Sequence, residues 1–161
     1  MSRFKLLLAG TASLTFSSAA MADIVVVDAY ALSSGQMARS GAAFMVLQNT
    51  GAEEDRLIDV LSSAAKMVAL HTHVQSDDGV MSMREVEQGI VVPAKGRAEL
   101  ARGGDHVMFM GLTAPFEEGA TIEATLVFEV AGEVPVELPV RSIRPEDHGT
   151  ANKMDGAATG H

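Results

Sequence analysis

The sequence predicts an all-β domain built as a sandwich or a barrel. Short β-rich runs follow one another from Asp23 onward, turn-forming residues separate them, and no long window shows the 3.6-residue apolar stripe of a helix. Alternation in the run 121–130 indicates a strand with one buried face, on which we expect Ile122, Leu126, Phe128 and Val130. We expect strands at residues 24–31, 42–48, 56–62, 66–73, 79–86, 89–92, 97–101, 106–112, 121–130 and 134–141.

The breaks between these runs contain the residues that turns require. Gly, Asn, Asp and Pro occupy them, and these residues either accept a positive φ or start a turn. The clearest breaks are residues 49–51, 77–79, 93–96, 103–105 and 117–119. Residues 77–79, Asp-Asp-Gly, are short enough to join their neighbouring runs as an antiparallel hairpin.

Composition excludes several classes of protein. The 161 residues are about the length of one domain, and they contain no cysteine. This excludes a disulfide framework, a zinc ribbon, an iron–sulfur cluster, a thiol nucleophile, a blue-copper site and a lipid-modified N-terminal cysteine. Asp and Glu outnumber Lys and Arg by 21 to 12, and there is one Tyr and no Trp. Without a basic surface or stacking aromatics, we expect no nucleic-acid partner.

The two ends of the chain differ from its middle. Residues 1–22 are typical of a signal peptide, with two basic residues, an apolar run and a cleavage site after Ala22. The alternative is an uncleaved membrane anchor, but the apolar run is about eleven residues and a spanning helix needs roughly 18 to 20. We therefore expect no stable membrane span and an exported domain at 23–141. Residues 142–161 lack a periodic apolar set, which predicts a flexible tail.

Most histidines and methionines after residue 22 fall in three short pieces. In each piece they recur at every second position, which places them on one face of a strand. The residues between them, including Leu70, Val80, Val107 and Phe109, are expected to be buried. The three sets are His71 with His73, Met81 with Met83, and His106 with Met108 and Met110.

Imidazole and thioether groups together form the ligand set that a soft monovalent metal prefers. In an oxidising compartment Met replaces the thiolate that Cu(I) would otherwise take. Within the three pieces no Asp or Glu shares the alternating positions, so zinc and iron fit less well. The sequence therefore favours a copper site.

Two other readings remain open. A small zinc-dependent hydrolase could use His71, His73 and His106 as ligands, with Asp105 as the base. A metal-free Ig-like interaction module would instead use its methionines as core or contact surface. Core filling is the usual role of a single Met on a strand, and it is the simplest role for Met45, Met67 and Met110.

The same pieces resemble the PCuAC (DUF461) family of periplasmic copper chaperones. The resemblance rests on His71, Met83 and the His106-Val107-Met108 run, and it extends over residues 24–141. Thr72 stands where the family signature has an optional Met, and the spacer between Met83 and His106 is one residue longer than in that signature.

The resemblance implies a cupredoxin-like (Ig-like) β-sandwich that is not an enzyme. It implies that His71, Met83, His106 and Met108 hold Cu(I). The nearby His73 and Met81 are secondary candidates, for transient ligation during metal entry or transfer. The resemblance also implies a periplasmic carrier that supplies the copper centres of cytochrome c oxidase, through subunit II or a Sco-type thioredoxin-like copper protein. Some relatives bind Cu(II) in a C-terminal extension, so we expect a similar role for His148, Met154 and His161 in the tail.

Overall fold

The computed structural model describes residues 23–33, 35 and 37–142. The predicted signal peptide, its cleavage site and all three tail ligands, His148, Met154 and His161, lie outside the described residues. Ser142, the first residue of the predicted tail, is the last residue of a strand. In the described part of the chain, no helix has the length and apolar character needed to cross a membrane.

The described residues form ten strands and no helix. All the predicted strands are present, and no strand end differs from its prediction by more than two residues, which is the usual disagreement between ways of assigning strand ends. The strands are β1 (Ile24–Ser33), β2 (Ser40–Asn49), β3 (Asp55–Leu61), β4 (Ala65–Gln75), β5 (Met81–Glu85), β6 (Ile90–Val92), β7 (Arg97–Leu100), β8 (His106–Leu112), β9 (Thr121–Phe128) and β10 (Gly132–Ser142).

The strands form a sandwich of two layers. Hydrogen bonds between neighbouring strands continue from one layer into the other. The strand order along this hydrogen-bonded path is β5-β4-β8-β2-β1-β10-β9-β3-β6, and β7 also pairs with β2. Strand β10 pairs antiparallel with β9 over most of its length, whereas its last residues pair parallel with β1. Because β10 passes from one layer to the other, it joins them at one side.

The core lies between the two layers. Val107 and Phe109 of β8 belong to the same buried cluster as Leu126 and Phe128 of β9. The predicted inward positions Val80 and Val130 are wrong, because both side chains are exposed. Val130 lies in a turn just outside β9, where the backbone no longer alternates between the two faces. Val80 immediately precedes β5, and all five residues of that edge strand are exposed.

Buried polar side chains hold the loops to this core. The carboxylate of Asp55 accepts hydrogen bonds from the backbone N–H groups of Arg56, Val130 and Ala131, at 2.7 to 2.9 Å. Through these hydrogen bonds Asp55 connects the β9–β10 turn to the start of β3. Such a buried carboxylate is stable because its oxygens are satisfied by backbone donors.

Candidate metal site

A hairpin and a third strand bring the predicted ligand pieces together. Strands β4 and β5 form the expected antiparallel hairpin, in which His73 lies opposite Met83. Gly79 in the connecting turn has a φ of 81°, which glycine adopts without strain. On the other side of β4 lies β8, with His106 opposite His71 and Met108 opposite Ala69.

These strand registers confirm that the His and Met side chains of each predicted set lie on one face of the sheet. Residues directly opposite each other in an antiparallel pair project to the same side of the sheet. Leu70, Val107 and Phe109, which alternate with the ligand residues, are buried in the core. The His and Met side chains therefore lie on the outer face of this layer.

A cleft of about 570 Å³ opens on that face. Five of the six predicted primary and secondary ligands line it, and the sixth, His71, lies beside it. The ring centroid of His106 is 5.0 Å from that of His73 and 6.1 Å from that of His71. The residues that line the cleft are Ser40, Gly41, Ala42, Phe44, His73, Met81, Met83, Arg102, Gly103, His106 and Met108.

The two ends of the donor set differ in their access to solvent. Only 3 % of His106 is exposed, whereas 53 % of Met83 and 54 % of Met81 are exposed. The end of the cleft at His106 is therefore buried, whereas the end at Met81 and Met83 is open to solvent.

The hydrogen bonding of His106 orients its ring. Nδ1 lies 3.0 Å from the carbonyl oxygen of Gly104, which can only accept, so Nδ1 carries the hydrogen. The Nε2 lone pair is then available to a metal, an arrangement typical of metal-binding histidines. Burial lowers the pKa of His106, and the neighbouring His73 and His71 lower it further, against the opposing effects of the Gly104 hydrogen bond and Asp105. A lowered pKa keeps the imidazole neutral and able to ligate.

Two further imidazole nitrogens are buried without a partner. Among the described residues, nothing forms a hydrogen bond with Nδ1 of His71 or Nδ1 of His73. Leaving a buried polar group unsatisfied costs about 1 to 3 kcal/mol. Because a metal ion is an alternative partner for a nitrogen lone pair, this pair of atoms is consistent with a metal site.

The described residues offer no support for the zinc alternative. They contain no group of three His, Cys, Asp or Glu side chains arranged to hold a metal. Glu85 lies on the same face of β5 as Met81 and Met83, and it is opposite His71. The sequence analysis did not identify this carboxylate. It is exposed at the sheet edge. The other side chains with metal-binding atoms that line the cleft beside His73 and His106 are the thioethers of Met81, Met83 and Met108.

Sequence reasoning also missed the aromatic wall of the cleft. The Phe44 ring centroid is 6.1 Å from that of His106 and 5.5 Å from that of Tyr30, and the guanidinium of Arg141 lies 4.5 Å above the Tyr30 ring. A signal for this was available, because residues 42–47 form an uninterrupted apolar run. Such a run is typical of a strand that is covered on both faces.

The family model described as "Putative lipoprotein LpqE-like" matches residues 24–140. A curated relative, "Putative lipoprotein Lxx21020" of Leifsonia xyli subsp. xyli (strain CTCB07), is 40 % identical over 100 residues. That match takes in 62 % of this chain and 60 % of the relative, so the chain spans less than two thirds of the relative's length.

Solved structures share the fold. The copper-bound PCuAC domain from PmoF2 superposes with a TM-score of 0.63 at 26 % identity, covering 77 % of this chain and 97 % of that domain. The solution structure of CuI-DR1885 from Deinococcus radiodurans has a TM-score of 0.60 at 29 % identity, covering 77 % of this chain and 81 % of that protein. Together with the family match over nearly the whole described domain, these similarities show that the chain is a cupredoxin-like β-sandwich and belongs to the LpqE-like family of PCuAC (DUF461) domains.

Proposed function

We propose that this protein is an exported copper chaperone that holds Cu(I) through His71, Met83, His106 and Met108. The observation that carries the proposal is the cleft itself, in which the imidazoles of His73 and His106 lie beside the exposed thioethers of Met81 and Met83. The similar domains from PmoF2 and DR1885, both described as copper-bound, support copper as the metal.

The donor set favours Cu(I) over other metals. Thioethers are soft ligands that select Cu(I), and they bind it without first losing a proton. No zinc-type cluster of His and carboxylates exists in the described residues, so a site at this cleft depends on sulfur. In an exported chain without cysteine, methionine is the sulfur ligand that remains.

The exposure of the cleft suits a carrier better than a catalyst. Met83 is half exposed and lies on β5, an edge strand at the end of the hydrogen-bonded path. An acceptor can therefore approach and replace the thioethers one at a time while His106 still holds the metal. His73 and Met81, which also line the cleft, would serve as transient ligands during entry or release.

The resemblance to PCuAC chaperones suggests where the copper goes. We propose delivery in the periplasm to the copper centres of cytochrome c oxidase, through subunit II or a Sco-type thioredoxin-like protein. Export depends on the predicted signal peptide, and the lipoprotein descriptions of the family and of the Leifsonia relative support an exported location.

The C-terminal tail starts close to the cleft. Ser142 of β10 lies opposite Ser33 of β1, which lies opposite Gly41 in the cleft wall. Two strand spacings are about 10 Å, and the six residues from Ser142 to His148 can span up to about 20 Å. We propose that the tail ligands His148, Met154 and His161 bind Cu(II) near the cleft, where an external one-electron donor reduces it to Cu(I). Unchanged Cu(II) stoichiometry after deletion of residues 143–161 would overturn this role.

Competition with a chromophoric Cu(I) chelator tests the function. The mature chain, residues 23–161, is titrated under reducing, anaerobic conditions and compared with Met83→Leu and Met108→Leu. Met37→Leu is the matched control, because Met37 is exposed and outside the cleft. One tight equivalent that both cleft variants lose and the control retains would support the proposal. No tight equivalent in the unmodified chain would favour the metal-free interaction module.

A further inference from the structure

We infer that the same sheet face has a second Cu(I) site, formed by the thioethers of Met67, Met108 and Met110. The inference rests on the proposed function, because it assigns the same cargo to a neighbouring position. It gives Met67 and Met110 a role, although neither residue lines the cleft or belongs to the ligand set implied by the resemblance.

The strand register places the three methionines together. Met67 of β4 lies directly opposite Met110 of β8, and Met108 precedes Met110 by two residues on the same face. The pairing runs from Ala65 to His71 without a register shift. Directly opposite Cβ atoms are about 4.5 to 5.5 Å apart, and i,i+2 neighbours on a strand about 7 Å apart. Methionine has three rotatable side-chain bonds, so three thioethers at these positions can converge on one ion.

The burial of these residues argues against a purely structural role. Of the three methionines expected to fill the core, Met45 does so, with 2 % exposed. Met67 is 60 % exposed, and Met110 is half-buried on the outer face. A side chain that remains mostly in water contributes little burial energy, so core packing does not account for Met67.

The cross-strand neighbours of Met108 and Met110 are small and supply no competing donor. The carboxylates of Asp59, Glu123 and Glu137 line a cavity that Met67 also borders, away from its pairing with Met110. Met108 lies between Ala42 of β2 and Ala69 of β4, and Met110 has Ser40 of β2 on its other side. Small side chains on both sides leave space above the sheet for the thioethers. Because no carboxylate or imidazole occupies these flanking positions, the donor set is all sulfur, which selects Cu(I) rather than zinc or a hard cation.

The new site adjoins the cleft through Met108. Along β4 and β8 the cross-strand pairs run Met67 with Met110, Ala69 with Met108, then His71 with His106. Met108 belongs to both donor sets. When the first copper already occupies the cleft, the second copper must share Met108 with it, so the second copper should bind more weakly than the first. A metal ion could then move between the sites by exchanging one ligand at a time, with Met108 bound throughout.

Methyl NMR during a Cu(I) titration tests this inference. The mature chain is labelled at the methionine ε-methyl carbons, the signals are assigned with single Met→Leu variants, and Cu(I) is added past one equivalent. We expect the Met83 and Met108 methyls to shift first, and the Met67 and Met110 methyls to shift in a second phase. In Met67→Leu and Met110→Leu the second phase should weaken by about tenfold or more, since even outer-shell changes cost metal sites roughly 10- to 100-fold. Leu replaces Met at little cost in stability.

The outcomes separate this inference from the proposed function. If the Met67 and Met110 methyls stay unshifted while Met83 and Met108 respond, the second site is overturned and the cleft stands. A response of Met67 and Met110 without one from Met83 would support the thioether site and contradict the ligand set of the cleft. An equal second-phase shift of the exposed Met37 methyl would mean adventitious binding to any free methionine, and it would also overturn the second site.

Discussion

His71 lies directly opposite His106 across β4 and β8, with their ring centroids 6.1 Å apart and their planes at 63°. Their surroundings differ in one respect. The Nδ1 of His106 donates to Gly104, whereas the Nδ1 of His71 is buried without a hydrogen-bond partner among the described residues. One ring is therefore oriented by the protein alone, and the other is left with an unsatisfied nitrogen that a metal could satisfy.

Replacing each unsatisfied imidazole identifies which one is a ligand. His71→Leu and His73→Leu each remove a buried nitrogen without a partner, so the free energy of unfolding of the apoprotein should stay equal or rise by about 1 kcal/mol. If the proposed ligand set is right, Cu(I) affinity falls much further in His71→Leu than in His73→Leu. Urea unfolding and chelator competition measure the two quantities. A greater affinity loss in His73→Leu would assign the ligand role to His73, whose ring is nearer to His106.

The stability of the apoprotein should depend on pH through His106. Burial holds the pKa of this residue below its ordinary value of 6.5, so the unfolded chain takes up a proton first as the pH falls. The contribution of His106 to stability is fully present above pH 6.5 and is lost as the pH falls through the folded-state pKa. His106→Asn keeps a donor for the Gly104 carbonyl and does not titrate. Urea unfolding between pH 7.5 and 5 should show a shallower decline in this variant, and parallel declines would contradict the prediction.

Asp55 should matter for stability and not for copper. Asp55→Ala leaves the N–H groups of Val130 and Ala131 without their acceptor, and each lost bond to a charged partner costs roughly 1.5 to 3 kcal/mol. We expect the free energy of unfolding to fall by about 3 kcal/mol or more. The folded variant should keep its Cu(I) affinity because Asp55 is outside the cleft. Glu133→Ala, an exposed carboxylate of β10, is the control and should change stability by less than about 0.5 kcal/mol.

Gly41 allows a close approach between the cleft wall and the core. A Cβ atom at this position would lie 2.5 Å from Cε2 of Phe116, whose ring packs edge-on against Phe109. Gly41→Ala should destabilise the fold by about 1 to 3 kcal/mol through overpacking. A second change, Phe116→Leu, removes the clashing ring, so the double variant should be more stable than the sum of the single effects predicts. Strict additivity in thermal or urea unfolding would show that this contact is not the cause.

The strand pattern was predictable because local signals agreed with the tertiary structure. Turn residues separate every run, and period-two alternation at Leu70, Val107 and Phe109 marks a half-buried sheet correctly. The prediction for Val130 was wrong because alternation was extended past the end of β9 into a turn, and that for Val80 was wrong because β5 is exposed on both faces. The apolar run 42–47 indicates that Phe44 is covered, but which side chains surround it depends on the strands that pair with β2, and pairing between distant strands leaves little local signature.

By itself, the sequence determined which side chains of this protein are available as soft ligands. Without cysteine, its soft ligands had to be methionine and histidine, and their spacing of two on β-strands placed each set on one face. Only the tertiary structure decided how those sets meet. The pairing of β4 with both β5 and β8 puts His73 opposite Met83 and His71 opposite His106. The same pairing places Met67 opposite Met110, a contact between residues far apart in the chain that only the register of the folded sheet creates.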